Sequence, residues 1–154
     1  MTTLAVGQPA PAFEAESTVG HLRLADTLGH KLVIYFYPKD NTPGCTTETQ
    51  DFRDHWEEFR KTDCYVVGVS RDSMSSHQRF SEKLSLPFPL ISDPEEKICN
   101  LFEVMRNKNM YGKQVRGIER STFLIDRNGN IAQIWRGVKV PGHVKEVLEA
   151  AQKI

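Results

Sequence analysis

The sequence predicts an α/β fold in which buried strands alternate with amphipathic helices. Two mostly apolar runs, Lys31 to Tyr37 and Cys64 to Ser70, are rich in β-branched and aromatic residues, a pattern typical of strands buried on both faces. Each run is followed by a segment with helical character. The 154 residues are enough for one core, so we expect residues 1–154 to form a single domain.

The N-terminal segment predicts an extended lead-in and a small hairpin. Pro9 and Pro11 in GQPAPAFEAES exclude a helix there. Val19-Gly20, followed by His21 to Leu24, suggests a turn and a second short strand. This hairpin precedes the first buried strand.

The first helix is predicted over about Thr46 to Arg60. Its apolar positions are spaced four and three residues apart, with acidic residues between them: Phe52, Trp56 and Phe59. Extending this face backward by helical steps reaches Thr49 and then Cys45. Cys45 is therefore expected at the head of the helix, above the stripe that faces the core.

Two helices are predicted after the second buried strand. Asp72 or Ser73 is expected to cap the first, which runs to about Leu84 and is broken by the prolines beyond it. The stretch SDPEE, Ser92 to Glu96, predicts the start of a short helix that ends near Phe102, since a proline lies in its first turn and acids lie at its positive end.

The last third of the chain predicts a loop, a hairpin and a helix. Met105 to Gly117 is polar and punctuated by glycine, so it is interpreted as a loop. Asn128-Gly129 is a clear hairpin turn between strands Arg120 to Asp126 and Asn130 to Arg136. Gly142 then leads into a terminal helix whose apolar face comprises Val144, Val147, Leu148 and Ala151.

The order of elements is consistent with a thioredoxin-like fold: a central mixed β-sheet flanked by helices, with an N-terminal hairpin. The 20 basic and 20 acidic residues balance, so no electrostatic feature favours a nucleic acid or an anionic membrane. The N-terminus lacks a signal-peptide pattern, and the three cysteines form no CxxC pair. A cytoplasmic protein with thiols in the reduced state is expected.

Cys45 follows a strand end and a Thr-Pro-Gly turn, in YPKDNTPGCTTE. A thiolate is the nucleophile, and an ordinary cysteine needs about 2.7 kcal/mol of added stabilisation to be mostly ionised at neutral pH. The helix N-terminus supplies about 0.3–1 kcal/mol, so charged or hydrogen-bonding partners must supply the rest. The Thr42 hydroxyl can fold over the turn, Gly44 permits a close backbone approach, and Pro38 can shield the site from water.

An ordinary turn with Cys45 as a small core residue is the alternative interpretation of this stretch. The strand end, the Thr-Pro-Gly turn and the helix head all support the same thiol chemistry, which favours the reactive cysteine.

Pro38, Thr42 and Cys45 also form PxxxTxxC, the active-site motif of the peroxiredoxins. The longer string FYPKDNTPGCTTE resembles the peroxiredoxin Q subgroup, also called bacterioferritin comigratory proteins. Further segments agree along essentially the whole chain: VGQPAPAF, VVGVSRDS, PLISDP and MYGKQVRGIERSTFLIDRNGNI. The resemblance implies a thioredoxin-like fold and a thiol-dependent peroxidase that acts on hydrogen peroxide and organic hydroperoxides.

The resemblance also implies residue roles. Cys45 matches the peroxidatic cysteine that becomes a sulfenic acid, Thr42 the residue that contacts bound peroxide, and Pro38 the shielding proline. Arg120, in GIERSTF, matches the arginine beside the thiolate, although the sequence alone cannot bring together residues 75 positions apart. Glu48 is expected to orient that arginine, but an acid in a first helical turn is also ordinary helix electrostatics.

This chain lacks a cysteine at both positions where members of the peroxiredoxin Q subgroup carry the resolving cysteine. Gln50 occupies the position five residues after Cys45, and the helix Ser73 to Leu84 has no cysteine. Cys64 and Cys99 are possible resolving residues, although a structural role is favoured for each. A one-cysteine cycle is therefore expected, with an external thiol of the thioredoxin or glutathione/glutaredoxin type, and a disulfide between two chains is a further option.

No cofactor or metal is expected, because the five histidines show no metal-ligand spacing and no nucleotide-binding motif occurs. A monomer or weak dimer is expected. The alternative function is a thiol redox sensor, or a thioredoxin-like interaction module, that is oxidised without sustained turnover. Both functions require a reactive Cys45, but only the peroxidase would consume peroxide continuously.

Overall fold

The computed structural model describes residues 4–154, except for the side chain of Met110. Its strands are β1 (Glu14–Ser17), β2 (Gly20–Arg23), β3 (Lys31–Phe36), β4 (Cys64–Ser70), β5 (Leu90–Ser92), β6 (Met105–Met110), β7 (Lys113–Ile118), β8 (Ser121–Ile125) and β9 (Ile131–Arg136). Its α-helices are α1 (Pro43–Asp54), α2 (Trp56–Lys61), α3 (Met74–Leu84), α4 (Lys97–Leu101) and α5 (His143–Gln152), and a 3-10 helix spans Leu24–Thr27.

The central sheet has seven strands in the order β2-β1-β5-β4-β3-β8-β9. Strands β3, β4 and β5 are parallel to one another, whereas β8 pairs antiparallel with β3 and β9 antiparallel with β8. Strands β6 and β7 form a separate antiparallel hairpin. The mixed sheet, its flanking helices and the β1-β2 hairpin confirm the predicted fold class.

The sheet divides the core into two apolar layers. All six residues of β3 are buried, and they alternate between the layers: Ile34 and Phe36 face one, while Val33 and Tyr35 face the other. Cys45 lies in the layer that packs under α1, α3 and α5, and Cys99 lies in the opposite layer. Both faces of β3 are covered, as its continuous apolar sequence predicts.

Several predicted boundaries are confirmed. Strand β4 has the predicted limits, and α3 begins after Ser73, whose hydroxyl accepts a hydrogen bond from the Ser76 amide at 3.2 Å. The terminal helix follows Gly142, and its predicted apolar face is buried. Among the described residues, no helix is long and apolar enough to cross a bilayer.

The predicted helix Thr46 to Arg60 is wrong in its extent. It begins earlier, at Pro43, and His55 divides it into α1 and α2. The backbone of His55 leaves helical geometry (φ −101°, ψ 5°), and its ring nitrogen Nδ1 lies 2.9 Å from the Asp51 carbonyl oxygen. A side chain that bonds the carbonyl of the preceding turn competes with the helical ladder.

The predicted helix start at Ser92 is also wrong. Strand β5 ends there, and α4 begins only at Lys97, after Glu96 with φ +63°. Asp93 lies before the helix and accepts from the amide of Cys99, in the first turn of α4, at 2.8 Å. The Glu96 carboxylate binds Arg116 of β7 at 2.9 Å. A strand of three residues gave too short a pattern to be recognised in the sequence.

The predicted loop Met105 to Gly117 is instead the β6-β7 hairpin, paired from Met105–Ile118 to Met110–Lys113. Its turn places Tyr111 and Gly112 at positive φ, 52° and 78°, as a type I′ turn requires. Lys113 to Arg116 are all exposed, so the second strand carries no alternation of apolar and polar residues. Because the segment is polar, its strands could not be recognised from the sequence.

Candidate active site

The candidate site lies at the carboxyl ends of the parallel strands β3 and β4. Residues 37–42 connect β3 to α1, and Thr42 precedes the helix in an extended conformation. Pro43 and Gly44 form the start of the helix, which places Cys45 in its first turn. Backbone amides at a helix start are free to donate, and they favour negative charge nearby.

Arg120 contacts Cys45 directly. Its Nη2 lies 3.3 Å from Sγ of Cys45, which is 1% exposed. The sheet explains this contact between distant residues: β8 pairs antiparallel with β3, with Phe36 opposite Ser121. Arg120 immediately precedes β8, so it lies at the end of β3 from which the chain enters α1.

The same guanidinium binds Glu48. Nη1 of Arg120 donates to Oε1 of Glu48 at 2.7 Å, and the Glu48 side chain is fully buried. Burial raises the pKa of Glu48 to about 7, although Arg120 acts in the opposite direction. Burial also opposes the charge on Arg120, but Glu48 and Cys45 outweigh it and raise the pKa of Arg120. One cation therefore contacts both the sulfur and a buried carboxyl.

Gly44 provides the room for this arrangement. A Cβ atom at this position would lie 3.3 Å from Nη2 of Arg120, which is tighter than an ordinary contact. The glycine lets the guanidinium lie against the helix start and reach Sγ.

Thr42 and Pro38 lie on the loop of residues 37–42. The Thr42 hydroxyl donates to the Lys39 carbonyl at 2.8 Å and makes no capping bond to the helix. Pro38 is partly buried, immediately after the buried Tyr37. The structure thus places both residues in the segment that enters α1, whereas the direct contacts within the site join Cys45, Arg120 and Glu48.

A buried polar network anchors the same loop, and the sequence did not reveal it. The Asp40 carboxylate accepts from the Tyr37 hydroxyl at 2.7 Å and the Ser76 hydroxyl at 2.8 Å. Nδ1 of His77 lies 2.7 Å from the same carboxylate, and its Nε2 lies 3.0 Å from the Ile91 carbonyl oxygen. Both ring nitrogens of His77 therefore face acceptor oxygens. Burial opposes ionisation of Asp40, but His77 outweighs it and lowers the pKa of Asp40.

Asp40, Asp72 and His77 also have ligand atoms within 4.8 Å of one another, close enough to surround a cation. Each already has a partner within the protein, since the Asp40 amide donates to Asp72 at 2.9 Å and His77 binds Asp40. These bonds explain why the three side chains lie together: they anchor the loop of residues 37–42.

Cys64 and Cys99 lie away from Cys45. Cys64 opens β4 beside Lys31, the first residue of β3, so the length of β3, about 17 Å, separates it from the end of the sheet that carries Cys45. Burial raises the pKa of the Cys64 thiol to about 12. Burial, and then its hydrogen bond with Asp93, also raise the pKa of Cys99. Gln50 lies within α1 and is partly buried.

Comparison with known proteins places this chain in a family. The family model described as AhpC/TSA matches residues 6–134. Peroxiredoxin Bcp from Xanthomonas campestris is 50% identical over 97% of this chain and 96% of its own length. Peroxiredoxin Bcp from Bacillus subtilis is 49% identical over 96% of this chain and 94% of its own length.

Solved structures give the same assignment. The bacterioferritin comigratory protein of X. campestris, described in connection with its alkyl peroxide reduction activity, superposes with a TM-score of 0.90 at 48% identity, over 97% of this chain and 98% of that one. A variant of PrxQ from Xylella fastidiosa superposes with a TM-score of 0.93 at 40% identity, over 99% of this chain and 98% of that one. The chain therefore belongs to the AhpC/TSA family and, within it, to the peroxiredoxin Q or bacterioferritin comigratory protein group of thiol-dependent peroxidases.

Proposed function

We propose that Cys45 is the peroxidatic residue of this peroxidase and that it reduces hydrogen peroxide and organic hydroperoxides. The observation that carries the proposal is the contact of Arg120 with Sγ of Cys45 at 3.3 Å, at the start of α1. A charged donor and a helix N-terminus both favour the thiolate over the thiol. The alkyl peroxide activity ascribed to the X. campestris relative supports organic hydroperoxides as substrates.

In the first half-reaction, the Cys45 thiolate attacks the terminal oxygen of the peroxide. The S–O bond forms as the O–O bond breaks, and the remaining oxygen leaves as water or an alcohol once it is protonated. Arg120 stabilises the negative charge that moves from the sulfur to the leaving oxygen. Thr42 contacts the bound peroxide, Pro38 shields the site, and Gly44 leaves space for Arg120.

In the second half-reaction, an external thiol reduces the sulfenic acid. The thiol forms a mixed disulfide with Cys45 and releases water, and a second thiol then restores Cys45 and leaves as the oxidised disulfide. Gln50 cannot serve as a resolving residue, and Cys64 and Cys99 are buried away from Cys45. A reductant of the thioredoxin or glutathione/glutaredoxin type fits this cycle. We place the protein in the cytoplasm as a monomer or weak dimer.

Because Cys64 and Cys99 lie away from Cys45, one alternative function is also favoured: a redox sensor that is oxidised at Cys45 but turns over slowly. The two functions differ in sustained peroxide consumption. We would follow peroxide loss with catalytic protein and excess glutathione or a thioredoxin system, using wild type, Cys45→Ser and the Cys64→Ser/Cys99→Ser double variant.

The peroxidase predicts continued turnover by the wild type and the double variant, and none by Cys45→Ser. Intact mass after one equivalent of peroxide should show a sulfenic acid or a glutathione adduct on Cys45. Activity that persists in Cys45→Ser would overturn the assignment. A disulfide mapping to Cys45 and either other cysteine would replace the one-cysteine cycle, and one molar equivalent of consumption without turnover would favour the sensor.

A further inference from the structure

Two acidic groups share one cation in the buried site. Arg120 donates to the Glu48 carboxyl at 2.7 Å through Nη1 and to the Cys45 sulfur at 3.3 Å through Nη2. Cys45 and Glu48 are three residues apart on α1, so their side chains lie on the same face of the helix. If both were ionised, two negative charges would face a single positive charge in a region from which water is excluded. Ionisation of one group therefore makes ionisation of the other less favourable.

The Glu48 carboxyl has an oxygen with no partner. Oε2 is buried and makes no hydrogen bond to any residue within 4–154, while Oε1 is bound by Arg120. A buried carboxylate with one unpaired oxygen is far less favourable than a buried neutral carboxyl. The raised pKa of Glu48, about 7, has the same physical cause. Within the pair, Glu48 is therefore the group that keeps the proton once the sulfur is ionised.

We propose that Glu48 is the internal acid of peroxide reduction: it holds the proton that Cys45 gives up and delivers it to the oxygen that leaves the peroxide. This inference rests on the proposed function and goes beyond orientation of Arg120 by Glu48. In the resting state, the proton passes from the Cys45 thiol to the Glu48 carboxylate. During attack the sulfur loses its negative charge, so Glu48 can release the proton and remain paired with Arg120.

The step balances in atoms and charge. The Cys45 thiolate, the Glu48 carboxylic acid and ROOH give the Cys45 sulfenic acid, the Glu48 carboxylate and ROH. The S–O bond forms and the O–O bond breaks, and the electron pair of the broken bond stays on the leaving oxygen, which takes the proton. Sulfur is oxidised, the peroxide is reduced, and no further reactant is needed.

The other ionisable groups around Glu48 are compatible with its role as the acid. Tyr35 of β3 has a pKa raised by burial, and its hydroxyl lies 3.1 Å from Oγ1 of Thr49. Asp51, one turn further along α1, adds a negative charge that also raises the pKa of Glu48. His143 at the start of α5 has a pKa lowered to about 4, by burial and then by Arg120, and is neutral at pH 7.

The proposal makes the reactive state the one in which the pair holds a single proton. The rate of Cys45 oxidation should rise with pH as the thiol ionises and then fall as Glu48 loses its proton, giving a bell-shaped profile. In Glu48→Gln the amide oxygen can still accept from Arg120, but no acid remains. Its profile should rise to a plateau without the alkaline fall.

The experiment measures single-turnover oxidation of Cys45 by rapid quench and mass spectrometry, without reductant, between about pH 5 and pH 10. Wild type, Glu48→Gln and the control Asp54→Asn, which removes an exposed acid from the same helix, are each treated with cumene hydroperoxide and with peracetic acid. Peracetic acid expels acetate, which needs no proton. With cumene hydroperoxide we expect Glu48→Gln to be about 100-fold slower, as for the loss of a general acid. With peracetic acid it should be within a few fold of wild type.

An equal loss with both peroxides would overturn the proposal, because misplacement of Arg120 slows both reactions alike. A wild-type rate that stays on an alkaline plateau would also overturn it and would show that the peroxide supplies its own proton. Urea unfolding of Glu48→Gln checks that the fold is intact. These outcomes are distinct from failure of the proposed function, which would appear as peroxide consumption that survives Cys45→Ser.

Discussion

Replacing Arg120 tests how much of the peroxide chemistry depends on one guanidinium. In Arg120→Met the flexible apolar chain keeps much of the bulk but loses both donors, the one at 3.3 Å from the Cys45 sulfur and the one at 2.7 Å from Glu48. A hydrogen bond to a charged group contributes about 1.5–3 kcal/mol, which corresponds to roughly 10- to 100-fold in rate. We therefore expect Cys45 oxidation to slow by that factor at neutral pH.

Arg120→Lys separates charge from geometry. A lysine ammonium is a point charge that cannot reach two acceptors with a planar fork, so this variant should recover only part of the rate. The matched control is Arg127→Met, which removes an equal charge from an exposed pair with Asp63 at 3.3 Å. It should leave the rate unchanged and alter the free energy of unfolding by less than about 1 kcal/mol.

The assay is rapid-quench mass spectrometry of Cys45 after mixing with hydrogen peroxide, at pH 7 and without reductant. Arg120→Met should also lose about 1–3 kcal/mol of unfolding free energy, since the buried Glu48 loses its partner. A rate within twofold of wild type for Arg120→Met would refute the role assigned to the guanidinium.

Three further predictions follow from single contacts. Gly44→Ala should slow Cys45 oxidation several-fold in rapid quench, because the added Cβ lies 3.3 Å from Nη2 of Arg120. The free energy of unfolding in urea should be unchanged or about 1 kcal/mol higher, since alanine favours the helix. Asp40→Asn should lower the unfolding free energy measured in urea by about 1–3 kcal/mol, because Tyr37, Ser76 and His77 lose a buried carboxylate partner. An unchanged free energy of unfolding would contradict the anchoring role of Asp40. The pKa of His143 is about 4 in the folded protein against 6.5 for an ordinary histidine. Its contribution of about 3 kcal/mol to the free energy of unfolding should therefore be complete above pH 6.5 and be lost as the pH falls to 4. His143→Gln should flatten this pH dependence in urea unfolding, and an unchanged slope would rule out the role of His143.

The sequence predicted those parts of the fold whose signals are local. Apolar runs defined β3 and β4, and Asn128-Gly129 marked the hairpin between β8 and β9, because each pattern is contained within a few residues. The β6-β7 hairpin escaped recognition for the opposite reason. Its strands are polar and mostly exposed, so their pairing is visible only in the backbone.

The residues of the site also differ in whether a local sequence pattern could predict them. Cys45 could be placed at a helix head from its own turn and helical face, but its two charged neighbours have different origins. Glu48 lies one turn away on the same helix, whereas Arg120 reaches the sulfur only because β8 pairs with β3. That pairing is a property of the sheet order, which local patterns do not encode. The Asp40–His77 anchor was missed for the same reason, since it joins a loop to a helix that follows a different strand.

The reduction half of the cycle is constrained by access to Cys45. A disulfide requires Cα atoms within about 7 Å, so neither Cys64, at the far end of the sheet, nor Cys99, in the opposite core layer, can reach Cys45 without disrupting packed core residues. A peroxide is small enough to approach a sulfur that is 1% exposed, but a protein thiol is not. On the proposed cycle, a protein reductant would therefore need Cys45 to be more accessible than it is in this structure.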